Sequence, residues 1–440
     1  MVKKLQIAHK QEMEMKLTQE EQDILAGKSG RTLQKVMKTL VLYGEALDAE
    51  RFVDIEGMGH LVTPYAIPGI GLNLEMADEL VQARCKTKYP FTICPRAPLD
   101  FENLSLTPEQ EGAFMDLFRD QPRCDELILQ LGLLDKEAYT CTPYSKGIGN
   151  VPKKGAFLAW AASCCVVLAN SVFGARTNRN SAEIELLSNI AGKTPLIGLL
   201  TDAGRRATWL VNVKTSRLPH PQLLGGAIGQ KIQESVPFIL GLDQFLGTGL
   251  DDESIDYLKE MGTASATIGA VGLFHVENMT PEALEQGTHL LAPQHQKYII
   301  DDQLLKDLMD SYPVMWQNRD AQPKKCIIGC PHQSLRQLYS WTDKICGALE
   351  GKRRRQIAVP TIICAAPQVL KMFKADKNAY RRLRKTGVTL STTCPEAYMD
   401  NQYCASEAVI TNSNKTRAYT SARFFVDEDL VEIIASGEIK

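Results

Sequence analysis

The sequence predicts an α/β protein of two or three sub-domains with mostly parallel sheets. Short apolar strand patterns alternate with amphipathic helix patterns from Cys326 to Lys415, and strands joined through helices run parallel. The chain opens in a similar way, a helical pattern feeding a strand-like Phe52-Val53-Asp54-Ile55. Its 440 residues also exceed the size, about 250–300 residues, at which one hydrophobic core stops growing. The expected parts are an N-terminal α/β part over 17–150, a central part over 151–320, a C-terminal α/β part over 321–420 and a tail over 421–440.

Taken in order, Thr18-Gln19-Glu20-Glu21 forms a capping box ahead of Ile24 and Leu25, and Gly27 and Gly30 close that helix. Leu33, Val36, Met37, Leu40 and Val41 recur at helical spacing up to Gly44. Pro64, Pro68, Gly69 and Gly71 make residues 63–74 a loop, and Glu75 to Arg84 is again helical. Thr107-Pro108-Glu109-Gln110 starts a further helix, with threonine as the cap and proline in the first turn. From Trp160 to Phe173 the chain is uncharged and apolar on all sides, the pattern of a buried helix, with Gly174 as its stop. Gly225, Gly226 and Gly229 fit neither a P-loop nor a dinucleotide fingerprint, and the small residues from Thr263 to Phe274 imply close backbone packing.

In the last third, Cys326 to Gly329, Ile357 to Cys364, Gly387 to Leu390 and Ala408 to Ile410 read as strands. The turns after the first, third and fourth are Gly329-Cys330-Pro331-His332, Thr392-Thr393-Cys394-Pro395 and Thr411 to Lys415. Ligands of an open α/β sheet collect beyond the carboxyl ends of its strands, so Cys330, Cys394 and the 412–415 turn face one crevice.

A formal net charge of -2 with 23% charged residues gives no electrostatic case for nucleic acid or a membrane surface. The basic run Lys352-Arg353-Arg354-Arg355 reads as a solvated face. No apolar run reaches membrane-spanning length, and Met1 to Gln6 lacks the apolar core of a signal peptide, so a cytoplasmic location is expected. None of the 12 cysteines forms a CxxC pair. In such a chain most are small buried side chains, with a few open to recruitment by a metal or cluster.

Two groups of residues carry chemistry. Arg176, Thr177, Asn178 and Arg179 follow the buried run directly, two guanidinium forks and two neutral hydrogen-bonding groups on a rigid element. That set suits a carboxylate or phosphate; the alternative is a hairpin whose arginines pair with acidic neighbours. Cysteines at strand ends suit an iron-sulfur cluster, because thiolates favour that chemistry and an iron without a protein ligand acts as a Lewis acid. Plain core cysteines are the alternative.

Blocks spread along the chain resemble a known family: Leu17 to Glu21 with Met37, Tyr43-Gly44-Glu45 and Gly59-His60; Gly149-Asn150-Val151-Pro152; Ala169 to Arg179; Gly272 to Val276 with Thr280-Pro281-Glu282-Ala283; Gly329 to His332; Cys394-Pro395; and Asn412-Ser413 with Lys415 and Tyr419. The sequence resembles the catalytic large subunit of the aconitase X family, a divergent branch of the aconitase superfamily, from Leu17 to Tyr419. The resemblance implies an aconitase-like fold and an iron-sulfur-dependent dehydratase. Members of the family act on cis-3-hydroxy-L-proline or mevalonate 5-phosphate. It further implies a swivel domain, fused or separate. The chain ends at Lys440, soon after the last block, so the swivel is expected to be absent here and supplied by a small partner subunit in a heterodimer.

By the same resemblance, Cys330 and Cys394 are cluster ligands and a third cysteine comes from the amino-terminal half, with Cys94 chosen and Cys85 next. Arg176, Thr177, Asn178 and Arg179, with His332 and Lys415, are expected to bind a small anionic substrate. Ser163 and Ser171 are candidates for the base, each also readable as a helix-packing serine. The chain departs from many relatives, which have carboxylates where it has Ala156, Ala162 and Asn180. The change makes the pocket more positive, fitting either a more highly charged substrate or a catalytically silent, regulatory large subunit that keeps the anion pocket.

Overall fold

Helix starts follow the side chains that cap them. Thr18 and Thr107 each complete a reciprocal capping box, on the helices Gln19–Leu25 and Pro108–Leu117, and Ser334 does the same for Leu335–Gly351, each satisfying two otherwise orphan donors. The computed structural model describes residues 14–64 and 72–439. The loop expected around Pro68, Gly69 and Gly71 and the start of the chain lie outside them.

Among the described residues, all but one of the strand pairings are parallel. Phe52–Asp54 pairs antiparallel with Lys193–Pro195, and Gly59–Leu61 pairs parallel with Phe91–Ile93. A four-stranded parallel sheet has the order His275–Val276, Pro237–Leu240, Ala207–Lys214, Leu291–Asp301. A five-stranded parallel sheet has the order Thr389–Ser391, Thr361–Cys364, Lys325–Ile328, Val409–Thr411, Arg423–Phe424. The strand reading of the last third therefore holds within a few residues. Residues 421–440, read from the sequence as a tail, contain the last of these strands and the helix Asp427–Ser436, whose Leu430, Ile433 and Ile434 are buried in the same core as Trp341 and Phe373.

Among the described residues there are three large cores. The first gathers Met37, Leu40, Phe91, Ile93 and Ile128 and is closed by Leu186 and Leu187. The second surrounds the helix Ser163–Ser171 and includes Leu224, Met261, Phe274 and Val211. The third lies under the five-stranded sheet. No helix among the described residues is long and apolar enough to cross a membrane.

The central helix is buried on every side, as its uncharged sequence requires, but it has only 9 residues. Phe157 and Trp160 instead pair their backbones sideways with Arg176 and His60, and the Trp160 indole donates to Met58 O at 2.7 Å. Ala162, with φ 67°, turns the chain into the helix. Glycines bring the helices Pro221–Ile232 and Asp252–Gly269 into backbone contact: a Cβ on Gly225 would strike Met261 O, and one on Gly269 would strike Gly229 O.

Candidate functional site

The carboxyl ends of four parallel strands supply one cavity of ≈ 360 Å³. Cys94 follows Phe91–Ile93, Cys330 follows Lys325–Ile328, Cys394 follows Thr389–Ser391 and Lys415 follows Val409–Thr411. Lys325–Ile328 lies between Thr361–Cys364 and Val409–Thr411, so the connections leave it in opposite directions and open a crevice there. Helix Ser163–Ser171 adds Ser163 and Cys164 from its first turn, and Cys141, Arg179, Asn180, His332, Glu396 and Tyr419 complete the wall that matters chemically.

Five thiols thus face one space: Cys94, Cys141, Cys164, Cys330 and Cys394. Burial pushes the Cys94, Cys330 and Cys394 thiols well above the usual thiol range. The Cys141 thiol is pushed up to about 12, again chiefly by burial. Cys164 moves the other way, down to about 6, because a hydrogen bond with Cys165 and the charge of Lys415 outweigh burial. Glu396, 2% exposed, accepts from Cys394 Sγ at 3.1 Å and Cys330 Sγ at 3.3 Å, and its other oxygen accepts from Thr416 Oγ1 at 3.0 Å. Burial opposes the charge of Lys415, but Cys330, Cys164, Glu396 and Cys394 more than offset it and hold the ammonium well above its usual pKa.

His332 is held neutral. Burial lowers its pKa to about 4. Its Nε2 lies 3.3 Å from Thr393 O and its Nδ1 3.3 Å from Thr140 Oγ1; a carbonyl only accepts, so the ring proton is assigned to Nε2. Behind Cys94, the buried His60 lies with Nε2 3.8 Å from the sulfur and Nδ1 2.8 Å from Thr92 Oγ1.

The donor set fits an iron-sulfur cluster. Soft sulfur ligands from separate chain segments surround one space, and the half-buried Lys415 ammonium offsets the negative charge that a thiolate-bound cluster brings. Among the described residues no three His, Cys, Asp or Glu side chains are grouped as around one metal ion. Ligands of a polynuclear cluster bind different irons and stand further apart.

Of the residues singled out from the sequence, Cys94, Cys330, Cys394, Ser163, Arg179, His332 and Lys415 line this cavity. Arg176, Thr177, Asn178 and Ser171 are committed elsewhere. Arg176 donates to Leu200 O at 2.8 Å and to Asp202. Thr177 Oγ1 accepts from Trp160 N at 3.1 Å, and Asn178 bridges Ile197 O at 3.0 Å and Leu199 N at 2.8 Å. Ser171 Oγ accepts from Phe274 N at 2.9 Å. These four satisfy backbone groups of neighbouring turns; of the 176–179 group Arg179 alone lines the cavity, where its guanidinium also donates to Ala270 O. Cys85 packs in the first core. Of Ala156, Ala162 and Asn180, the last two are on the wall, whereas Ala156 is not among its lining residues.

Cys141 and Glu396 were not anticipated. Cys141 sits in an irregular segment with no periodicity to mark it. Glu396 could have been found from its position two residues beyond Cys394, in the first turn of the helix Pro395–Met399, where a side chain reaches back over the turn.

Comparison with known proteins is consistent along the chain. Models described as the aconitase X first, second and third domains match residues 14–203, 207–310 and 324–433. The phosphomevalonate dehydratase large subunit of Thermococcus kodakarensis is 31% identical over 385 residues, covering 86% of this chain and 89% of that one. A cis-3-hydroxy-L-proline dehydratase of Pseudomonas aeruginosa is 24% identical over 413 residues, covering 91% of this chain but 65% of its own length. The solved structure of Thermococcus kodakaraensis aconitase X in its holo-form superposes with a TM-score of 0.77 at 28% identity, covering 95% of this chain and 99% of that one.

Proposed function

The chain belongs to the aconitase X family, and from that premise we propose that it is the large, catalytic subunit of an iron-sulfur-dependent dehydratase acting on a small phosphorylated hydroxy acid. It is a lyase of small hydroxy acids, as its dehydratase relatives are. The observation that carries the finer reading is the cavity itself: strand-end thiols at Cys94, Cys330 and Cys394, with the cations Arg179 and Lys415 beside them.

In this reading Cys94, Cys330 and Cys394 hold the cluster, with Cys141 and Cys164 as additional sulfurs facing the same space. The bound cluster supplies a Lewis acid for the substrate hydroxyl. Arg179 and Lys415 bind the anionic ends, and the neutral His332, its ring nitrogens engaged by Thr393 O and Thr140 Oγ1, adds no charge to the wall beside them. Ser163, at the amino end of a helix, is the chain's own candidate to accept the proton from the carbon next to the carboxylate. Loss of that proton and of the hydroxyl makes one water and one carbon-carbon double bond.

Charge chooses between the substrates of the relatives. A hydroxyproline brings a ring ammonium that needs an acidic partner, whereas a phosphorylated acid brings only negative charge. Ala162 and Asn180 on the wall are both neutral, and the carboxylate that is there, Glu396, is engaged by Cys330, Cys394 and Thr416, which favours the phosphorylated acid, a mevalonate 5-phosphate-like molecule. The large-subunit names of relatives such as that of Thermococcus kodakarensis imply a small-subunit partner, here proposed to be the swivel domain of a heterodimer.

The test is anaerobic co-expression with a small swivel subunit, followed by incubation with mevalonate 5-phosphate and with cis-3-hydroxy-L-proline. Water loss from the first only, abolished by Cys330→Ala, is expected. The same neutral residues at 162 and 180 favour a second reading, a silent regulatory large subunit. An iron-loaded pair that binds the phosphorylated acid but turns over neither compound would establish that reading instead.

A further inference from the structure

A buried polar network lies behind the Gly329-to-Gln333 turn, on the side away from the cavity. Gln222, 1% exposed, sits in the first turn of the helix Pro221–Ile232. Its amide nitrogen donates to the backbone carbonyl of Cys330 at 3.2 Å and to Glu260 Oε2. Its amide oxygen accepts from the backbone N–H of Asn414 at 3.0 Å, and its own carbonyl accepts from Asn414 Nδ2 at 3.0 Å. One side chain therefore spans two turns that are 84 residues apart in sequence (414 − 330), one carrying Cys330 and the other carrying Lys415.

The network behind Gln222 restricts it further. Lys259, 2% exposed, donates to His332 O at 3.1 Å and lies 3.6 Å from Glu260 Oε1. Glu260 also accepts from Gln337 Nε2 at 3.1 Å and from Gln333 Nε2 at 3.3 Å. The carbonyls of Cys330 and His332 are thus both held from the helix side. Because Gln222 must donate to a carbonyl and accept from an N–H at the same time, its amide has one allowed orientation. Such a contact reports on the distance between the two turns and tolerates little slack.

We infer that Gln222 is a positioning residue: through the Cys330 carbonyl and the Asn414 amide it sets where the Cys330 sulfur stands relative to the Lys415 ammonium, with Glu260 and Lys259 holding its amide in register. The inference rests on the assignment of Cys330 and Lys415 to the site proposed above. Neither of the substrate-bearing cations nor any cavity thiol is touched by the Gln222 side chain directly, so its loss leaves the chemistry in place and blurs its geometry.

Gln222→Met removes both contacts at similar volume, and Gln222→Asn keeps an amide too short to bridge the turns. Arg336→Gln is the control, since Arg336 reaches Asp256 but neither turn. In metal-free protein, alkylation by iodoacetamide is followed cysteine by cysteine with mass spectrometry. The rate at Cys330 relative to Cys394 is expected to rise several-fold in both Gln222 variants and to stay unchanged in Arg336→Gln. An unchanged ratio, or an equal rise at all cysteines in all three variants, overturns the inference. In the loaded pair, iron loss to a chelator is expected to be about tenfold faster in Gln222→Met, with a changed electron paramagnetic resonance spectrum. A wild-type pair without iron would overturn the cluster reading while the alkylation ratio still decides this one. A loaded wild type with an unchanged ratio in the variants would overturn this inference alone.

Discussion

Behind the cavity wall, Tyr43 donates to Asn180 Oδ1 at 2.6 Å, and Asn180 hydrogen-bonds the carboxyl of Glu185. Glu185 is 1% exposed, and its Oε2 has no hydrogen-bond partner among the described residues. Burial pushes that carboxyl well above the usual carboxylate range. The folded state then keeps a proton that the unfolded chain releases above about pH 4.3, so stability falls as pH rises from there through the folded pKa. Glu185→Gln keeps an acceptor for Asn180 and removes the titration. Thermal midpoints of variant and wild type should converge near pH 4 and separate toward pH 8, with the variant higher. A gap that does not change with pH would sink the idea. At this scale the sequence revealed residues by the turns that hold them: Cys330, Cys394 and Lys415 were legible because each follows a strand. Arg176 to Asn178 were not, because nothing local shows that Leu200, Trp160, Ile197 and Leu199 would claim their side chains.

Among the elements, caps and strands were the most legible, since a Thr18 or Thr107 box and a run such as Cys326-Ile327-Ile328 state their own conformation. The central helix was readable as buried but not in length, because the pairing of Phe157 with Arg176 and of Trp160 with His60 is a tertiary effect. Ala162 enters that helix at φ 67° and ψ 110°, a region that side-chain-bearing residues rarely adopt. Ala162→Gly should relieve that strain and stabilise by about 1 kcal/mol in urea unfolding, a sign opposite to the usual cost of glycine. The small residues of Thr263 to Gly269 make the opposite prediction. Gly269 meets Gly229 backbone to backbone, so Gly269→Ala must drive two long helices apart. A loss of about 3 kcal/mol or more is expected; a loss below 1 kcal/mol would mean that the crossing can relax.

On the scale of the whole molecule, the proposed ligands do not belong to one folding unit. Cys94 follows a strand whose Phe91 and Ile93 fill the first core, whereas Cys330 and Cys394 stand at the ends of strands over the third. The helix Ser163–Ser171 of the second core lies between them and presents Cys164. This convergence was only partly legible. Strand ends predict a crevice within one sheet, but that the end of Phe91–Ile93 opens into the same crevice depends on how the cores dock. A cluster bridging the regions binds the docked state and not the separated ones, so its binding free energy becomes stability. Calorimetry of the loaded protein under anaerobic conditions should show one transition, about 5 °C or more above that of chelator-stripped protein. Cys94→Ser should bring the two midpoints together, since the first region is then no longer pinned to the third. Coincident midpoints in loaded and stripped wild type would show that the regions dock without help from the ligands.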